Sequence, residues 1–146
     1  MVLELAGNED RREITALDKH VPLVRLDECI AAGRVFVLRE NSVKDTGSDR
    51  VIGVLRYSLF WQMIPFVDLL YIEEKYRGMG LGTFMMLTWE EAMAREGYRN
   101  VMTSTQSDED AFRFYEKIGY RKAGGFFPPD QDAEEWIYIK ELEMTK

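Results

Sequence analysis

Residues 76–82 read YRGMGLG, and this stretch decides how the rest of the chain is interpreted. Its three glycines stand at alternate positions, although all 146 residues contain only 11 glycines. An apolar segment, PFVDLLYI at 65–72, comes before it, and apolar residues recur at three- and four-residue spacing after it. The sequence therefore predicts a buried strand, a glycine turn and a helix in succession.

A glycine turn at the start of a helix is typical of a phosphate-binding site. The first N–H groups of a helix have no partner within it, and the helix dipole makes that end positive. Glycine permits positive φ angles and keeps a Cβ away from an approaching anion. Arg77 adds a permanent positive charge. Taken alone, the glycines fit equally well with a turn that merely packs the helix on a sheet.

The glycine spacing excludes the two commonest phosphate loops. Gly78, Gly80 and Gly82 do not fit the Gly-x-Gly-x-x-Gly of dinucleotide-binding proteins, and Thr83 is not preceded by the lysine of a P-loop. The missing lysine also disfavours an ATP-binding protein of another fold. A different pyrophosphate loop is therefore predicted.

Composition limits the class of protein. With 46% hydrophobic residues, the chain is expected to form a single domain over 1–146. Lys and Arg number 19 and Asp and Glu 26, so the formal charge of 19 − 26 = −7 argues against nucleic acid as a partner. Cys29 and His20 are the only residues of their types, which excludes an intrachain disulfide and disfavours a metal site.

No secreted or membrane-spanning segment is predicted. Residues 1–13 lack a basic leader followed by a long apolar stretch. The most apolar segment, 60–72, is interrupted by Gln62, Pro65 and Asp68. We expect a cytoplasmic protein with no membrane partner.

The order of predicted elements indicates a mixed sheet. Strands are predicted at 2–6, 34–40, 50–60, 65–72, 99–105, 120–127 and 135–142, with hairpin loops at 41–49 and 128–135. Helices are predicted at 9–20, 23–32, 81–96 and 108–119, the last with Asp108 as a possible N-cap. The apolar stripe of the third helix comprises Leu81, Phe84, Met85, Thr88, Trp89, Ala92 and Met93. This order combines antiparallel pairs with one strand-helix-strand crossover.

Two motifs together resemble those of the GNAT superfamily of acyl-CoA-dependent N-acetyltransferases. LYIEEKYRGMGLG at 70–82 is followed about thirty residues later by DEDAFRFYEKIGY at 108–120. The positions that match the family's two motifs are Arg77, Gly80 and Gly82, then Ala111, Phe114, Tyr115 and Gly119. The likeness covers about residues 50–122, and Asp108 stands where the family often has asparagine.

The resemblance implies an α+β fold with helices on both faces of a bent, mostly antiparallel sheet that splays at a central parallel pair, 65–72 beside 99–105. It implies acetyl-CoA as co-substrate, a primary amine as acceptor and a homodimer. The residues expected to bind the coenzyme are Leu70, Ile72, Arg77, Gly78, Met79, Gly80, Leu81, Gly82, Thr83, Asp108, Ala111 and Phe114. The acceptor is not specified, since the superfamily acetylates both small amines and proteins.

Two catalytic residues are expected on the same basis, and a third is expected from the strand pattern. Tyr115 matches the family's general acid, which protonates the leaving thiolate, although it could instead be a packed core residue. The backbone amide of Leu70 is expected to stabilise the thioester oxygen. Asp68 is the one carboxylate within an apolar strand and is the candidate base or amine-binding group. Glu73 and Glu74 are less favoured for that role.

The substrate walls are expected at strand ends and at the hairpin SLFWQMIPF, 58–66. The candidates are Trp61, Thr105 and Gln106, with Phe60 and Thr103 beside them. Trp61 next to Asp68 would suit a cationic amine, and the alternative is that the aromatic residues here fill the core. An alternative function is a sensor of the same fold that binds acyl-CoA without turnover.

Overall fold

The computed structural model describes residues 1–41 and 50–143. Its strands are β1 Val2–Leu5, β2 Val35–Arg39, β3 Gly53–Phe60, β4 Ile64–Ile72, β5 Asn100–Gln106, β6 Arg121–Phe126 and β7 Glu135–Glu141. Its α-helices are α1 Arg11–Leu17, α2 Leu23–Ala31, α3 Leu81–Arg95 and α4 Ala111–Lys117. None of the helices in this part of the chain has both the length and the apolar character needed to cross a bilayer. The hairpin loop predicted at 41–49 lies, beyond Asn41, outside the described residues.

The seven strands form one mixed sheet in the order β1-β2-β3-β4-β5-β7-β6. β4 and β5 run parallel, with Phe66 opposite Met102 and Val67 opposite Thr103. The other registered pairs, β1 with β2, β2 with β3, β5 with β7 and β6 with β7, are antiparallel. The predicted mixed sheet with a central parallel pair is therefore confirmed.

The chain divides into two compact units, and the first comprises residues 1–58 and 68–89. Its core joins α1 and α2 to the adjoining strands β2 and β3. The buried residues of this core are Ile14, Leu26, Ile30, Val35, Val37, Val51 and Val54, with Cys29 packed at its margin. After α2 the chain turns at Gly33, whose φ of 72° is the left-handed conformation common after a helix end.

The second unit comprises residues 59–67 and 90–146. Here α4 packs on the face of β5 and β7. Phe112 contacts Trp136 edge to face at 5.5 Å between ring centroids, and the Tyr138 hydroxyl donates to Glu116 at 2.9 Å. Tyr115 is the buried aromatic residue of this helix.

The buried face of α3 differs from the predicted stripe. Phe84 is 37% exposed, whereas Met86 and Glu90 are buried beside Met85 and Trp89. The stripe was wrong at Phe84 because apolarity alone identified it, while a glutamate was not expected in the core. Glu90 is tolerated there because it has two polar partners, described below.

The structure corrects the predicted start of the last helix. α4 begins at Ala111 with Asp110 at its N-cap, and the Asp110 side chain makes no capping hydrogen bond. Asp108 therefore lies in the turn before the helix and is not its N-cap. Several acidic residues in succession gave the sequence more than one plausible helix start.

A tight hairpin joins β3 to β4. The N–H of Met63 donates to the carbonyl of Phe60 at 3.0 Å, and the two central residues, Trp61 and Gln62, have φ angles of 56° and 60°. Two positive φ angles define a type I′ turn, which matches the twist of the strands. The central residues of this turn are usually Asn-Gly. The left-handed conformation of Trp61 and Gln62 therefore costs about 1 kcal/mol or more per residue.

Candidate functional site

The glycine turn ends at the first residue of α3. The N–H of Phe84 donates to the carbonyl of Gly80 at 3.1 Å, so the N–H groups of Leu81, Gly82 and Thr83 are the ones that a helix start leaves without intrahelical partners. Gly78 and Gly80 have φ angles of 79° and 78°, which favour glycine, whereas Gly82 lies within the helix. A Cβ added at Gly78 or Gly80 would meet no atom within 4 Å. A Cβ thus has room at either glycine, and the turn leads into helix N–H donors that have no partner within the helix.

Arg77 is tied to the end of β4. Its Nε donates to the carbonyl of Ile72 at 2.9 Å, and its guanidinium carbon lies 5.1 Å from the ring centroid of Tyr71. Met79, between the first two glycines of the turn, is exposed. Arg77 therefore brings positive charge to the turn through a side chain that is already oriented.

Asp68 lies near the middle of β4 with its side chain 31% exposed. Partial burial raises the pKa of its carboxyl group, and a hydrogen bond from Ser58 together with the positive charges of Arg56 and Arg34 opposes that rise. The nearest charged contact is Arg56 Nη1, 3.7 Å from Asp68 Oδ2. A carboxylate with a raised pKa is a stronger base than an ordinary aspartate.

A second carboxylate holds the same arginine. Arg56 Nε donates to Asp18 Oδ2 at 2.7 Å, and Asp18 is fully buried. Asp18 also accepts the backbone N–H of His20 at 3.2 Å. Sequence reasoning missed Asp18 and Arg56, because the residue that follows a helix and one residue of an antiparallel strand carry no signal that they meet.

Glu73 is engaged in an ion pair with Arg50. Its oxygens accept from Arg50 Nη1 at 2.5 Å and from Arg50 Nη2 at 3.3 Å. The hydrogen bond from Arg50 lowers the pKa of Glu73, which makes this carboxylate a weaker base than usual. Glu74 is exposed in the 3-10 turn that follows β4. Asp68 is therefore the carboxylate whose pKa is raised, whereas that of Glu73 is lowered.

Tyr115 lies where the two parallel strands pair. Its hydroxyl forms a hydrogen bond with Thr103 of β5, and Thr103 Oγ1 donates to the carbonyl of Val67 of β4 at 3.2 Å. Burial raises the pKa of Tyr115, and the bond with Thr103 opposes part of that rise. The phenol therefore stays protonated at neutral pH and has a proton to donate.

A buried polar group lies behind Tyr115. Tyr120 contacts the Tyr115 ring edge to face at 5.7 Å, and its hydroxyl donates to Glu90 Oε2 at 2.8 Å. Lys140 Nζ pairs with the other Glu90 oxygen at 2.7 Å. Burial, followed by the charge of Glu90, raises the pKa of Tyr120 well above its usual range. Sequence reasoning did not find this group.

The structure does not bring the three predicted substrate residues together. Thr105 is buried and Gln106 is half-buried at the end of β5, whereas Trp61 precedes the start of β4 and is 76% exposed. Phe66 pairs with Met102 in parallel, so the start of β4 lies level with the start of β5. At about 3.3 Å per residue, Trp61 is roughly 20 Å or more along the sheet from Gln106.

The remaining predicted coenzyme-binding residues differ in exposure. Leu70 and Ile72 are half-buried on β4, Asp108 is exposed, and Ala111 and Phe114 are half-buried on α4. Phe114 contacts Tyr115 with ring centroids 5.1 Å apart. The assignment of these residues to coenzyme binding stays a prediction.

Residues 7–120 match the sequence model of the acetyltransferase (GNAT) family. The chain belongs to this family. The match runs through the glycine turn and through Tyr115, so both motifs that suggested the family lie inside it. Among GNAT proteins acetyl-CoA is the acetyl donor, and the predicted family is confirmed.

Individual relatives support the same fold. Blasticidin-S acetyltransferase from Streptomyces morookaense is 34% identical over 85 residues, which are 56% of this chain and 60% of that protein. The chain thus spans less than two thirds of that relative. The ribosomal-protein-S18-alanine N-acetyltransferase of Escherichia coli superposes with a TM-score of 0.79 at 12% identity, covering 99% of this chain and 96% of its own. Aminoglycoside 6′-acetyltransferase type Ii gives 0.79 at 16% identity and covers 100% of both chains.

Proposed function

We propose that this GNAT protein transfers the acetyl group of acetyl-CoA to a primary amine by direct attack in a ternary complex. The observation that carries the proposal is the family match over residues 7–120, which includes the complete glycine turn and Tyr115. The left-handed turn at Gly78 and Gly80 leads into the first N–H groups of α3, and such a helix start suits a pyrophosphate.

Coenzyme binding is assigned to three sets of residues. The turn from Arg77 to Thr83 binds the pyrophosphate through backbone N–H groups and the Arg77 charge. The backbone of β4 at Leu70 and Ile72 pairs with the pantetheine arm. The Ile72 carbonyl also accepts the hydrogen bond from Arg77 Nε. Asp108, Ala111 and Phe114 complete the proposed set.

The reaction needs three groups from the chain. The amine nitrogen bonds to the thioester carbon, the carbon–sulfur bond breaks, and one proton leaves the nitrogen while another reaches the sulfur. Asp68 accepts the proton from the amine, the Leu70 N–H stabilises the developing oxyanion, and Tyr115 protonates the thiolate. The raised pKa of Asp68 and the protonated phenol of Tyr115 support these roles.

The proposed acceptor is the amine of a small molecule. The sequence relative at 34% identity is named for the antibiotic blasticidin S, whereas the protein-modifying enzyme is similar at 12% identity and supports the fold alone. Thr105 and Gln106 remain the proposed acceptor-binding residues, and Trp61 is left out because of its position along the sheet.

An assay of thiol release from acetyl-CoA tests the function. The panel contains blasticidin S, an aminoglycoside, a small diamine and peptides with a free N-terminal alanine. We expect turnover with at least one small amine and less with the peptides. Turnover confined to peptides would overturn the acceptor class, and coenzyme binding without thiol release on any amine would favour the sensor function.

We also propose a homodimer, on the basis of the family resemblance. The single free cysteine, Cys29, supports a cytoplasmic location for it. β6 ends the sheet, and all six of its residues are exposed, so its outer edge is a surface on which a second copy could add a strand. Light scattering should report about twice the 17.1 kDa of one chain. A mass of one chain at micromolar concentration would contradict the dimer.

A further inference from the structure

We propose that Asp18 and Arg56 are positioning residues that set how much positive charge reaches the Asp68 carboxylate. The proposal rests on the function above only in treating Asp68 as the base. Asp18 holds the near nitrogen of Arg56, and the far end of the same guanidinium points to Asp68. Neither residue is assigned to contact the amine or the coenzyme.

The geometry of the three side chains is unequal. Asp18 Oδ2 lies 2.7 Å from Arg56 Nε, whereas Asp68 Oδ2 lies 3.7 Å from Arg56 Nη1. The shorter contact is also the more buried, since Asp18 is 0% and Asp68 31% exposed. A contact of 3.7 Å is an electrostatic one without a well-formed hydrogen bond. Asp18 therefore makes the stronger ion pair with Arg56, and Asp68 makes the weaker one.

An interaction of intermediate strength with a positive charge suits a carboxylate that acts as a base. If Asp68 had a full bidentate pair with an arginine, its carboxylate would be too stable to accept a proton. If it had no positive neighbour, partial burial would raise its pKa further. Because Asp18 anchors Arg56, Asp68 has a positive neighbour but no bidentate pair with it.

The charged groups that act on Asp68 come from three places along the chain. Arg56 belongs to β3, Arg34 stands just before β2, and Asp18 follows α1, while Ser58 of β3 adds a hydrogen bond. Asp18 opposes ionisation of Asp68 by repulsion, and both arginines favour it. Changes at Asp18 and at Arg56 therefore have opposite signs.

The test is a carbon-13 titration of the Asp68 carboxyl group, assigned by the signal lost in Asp68→Asn. Three variants are compared with the wild type: Asp18→Asn, Arg56→Gln and the double variant. Asp18→Asn removes a repelling charge and frees Arg56, so the Asp68 midpoint moves to lower pH. Arg56→Gln removes the attracting charge, so the midpoint moves to higher pH.

The double variant keeps the test valid if Arg56→Gln alone does not fold. Arg56→Gln leaves Asp18 buried without its ion-pair partner, whereas Asp18→Asn with Arg56→Gln removes both charges and leaves two neutral polar side chains. Its midpoint should lie between those of the wild type and Arg56→Gln. The expected order from low to high pH is Asp18→Asn, wild type, double variant, Arg56→Gln.

The chain offers a matched control in the exposed pair Arg11 and Asp27, which meet at 2.7 Å on α1 and α2. Asp27→Asn and Arg11→Gln make the same charge changes and should leave the Asp68 midpoint in place. In the enzyme, the acid limb of kcat/KM should move in the same order as the titration. A common midpoint for all variants, or shifts equal to those of the controls, would overturn the proposal. A wild type without turnover would instead overturn the proposed function, and the titration would still decide this inference.

Discussion

Replacing Tyr115 by phenylalanine should lower kcat about 100-fold and leave the affinity for acetyl-CoA unchanged. The variant keeps the ring that packs against Phe114 and Tyr120 and loses only the hydroxyl that bonds to Thr103. Removal of a general acid costs 10²–10⁴-fold, and 100-fold corresponds to about 3 kcal/mol of barrier. The lower end is expected because a coenzyme A thiol is a fair leaving group even as the thiolate. The measurements are turnover, coenzyme affinity by calorimetry and Tm on one preparation.

Tyr120→Phe provides the control for a structural role. It removes the same hydroxyl from an adjoining buried tyrosine, whose proton is donated to Glu90. This variant should lower Tm, because it takes a partner from a buried carboxylate, with little change in kcat of the folded protein. If Tyr115→Phe also lowered only Tm and kept full turnover, Tyr115 would be a packing residue and not the acid.

Replacing Gly80 by valine should weaken acetyl-CoA binding at least about 100-fold. The substituted side chain would stand directly before the first residue of α3, beside the N–H groups where the pyrophosphate is proposed to lie. Hydrogen bonds to a charged group contribute about 1.5–3 kcal/mol each, so losing two of them accounts for this effect. Isothermal calorimetry measures it directly.

Gly33→Val separates loss of the anion site from backbone strain. Gly33 has a φ of 72°, close to the 78° of Gly80, and a Cβ there also meets no atom within 4 Å. Both variants should be destabilised by about 1–2 kcal/mol, because valine is forced into the left-handed region. Only Gly80→Val should lose coenzyme affinity, and unchanged affinity in that variant would remove the turn from the proposed site.

Local patterns predicted most of the fold. The glycine turn after an apolar strand indicated β4 and α3, and turn formers between apolar runs indicated the antiparallel strands. The start of α4 was missed because three acidic residues before Ala111 offer equivalent capping chemistry. Phe84 was included in the buried stripe and Glu90 was left out of it. Hydropathy does not show that Tyr120 and Lys140 are polar partners of Glu90.

The candidate site was predictable only where a motif marks it. The glycines and Tyr115 belong to motifs, and Asp68 stands out as a carboxylate in an apolar strand. Asp18 and Arg56 are 38 residues apart, and no periodicity links them. Trp61 was grouped with Thr105 and Gln106 because the substrate walls were expected at the hairpin and at strand ends, but the parallel register of β4 and β5 decides position along the sheet.

The exposed hairpin tip also has an optical consequence. The chain contains three tryptophans: Trp61 is 76% exposed at that tip, Trp89 is fully buried in α3, and Trp136 is half-buried on β7 beneath Lys122. Their indoles thus sit in three different polarities within one chain. A water-soluble quencher would reach Trp61 first, while the emission of Trp89 would report on the interior. The tryptophans are thus intrinsic fluorescent reporters of the surface and the core.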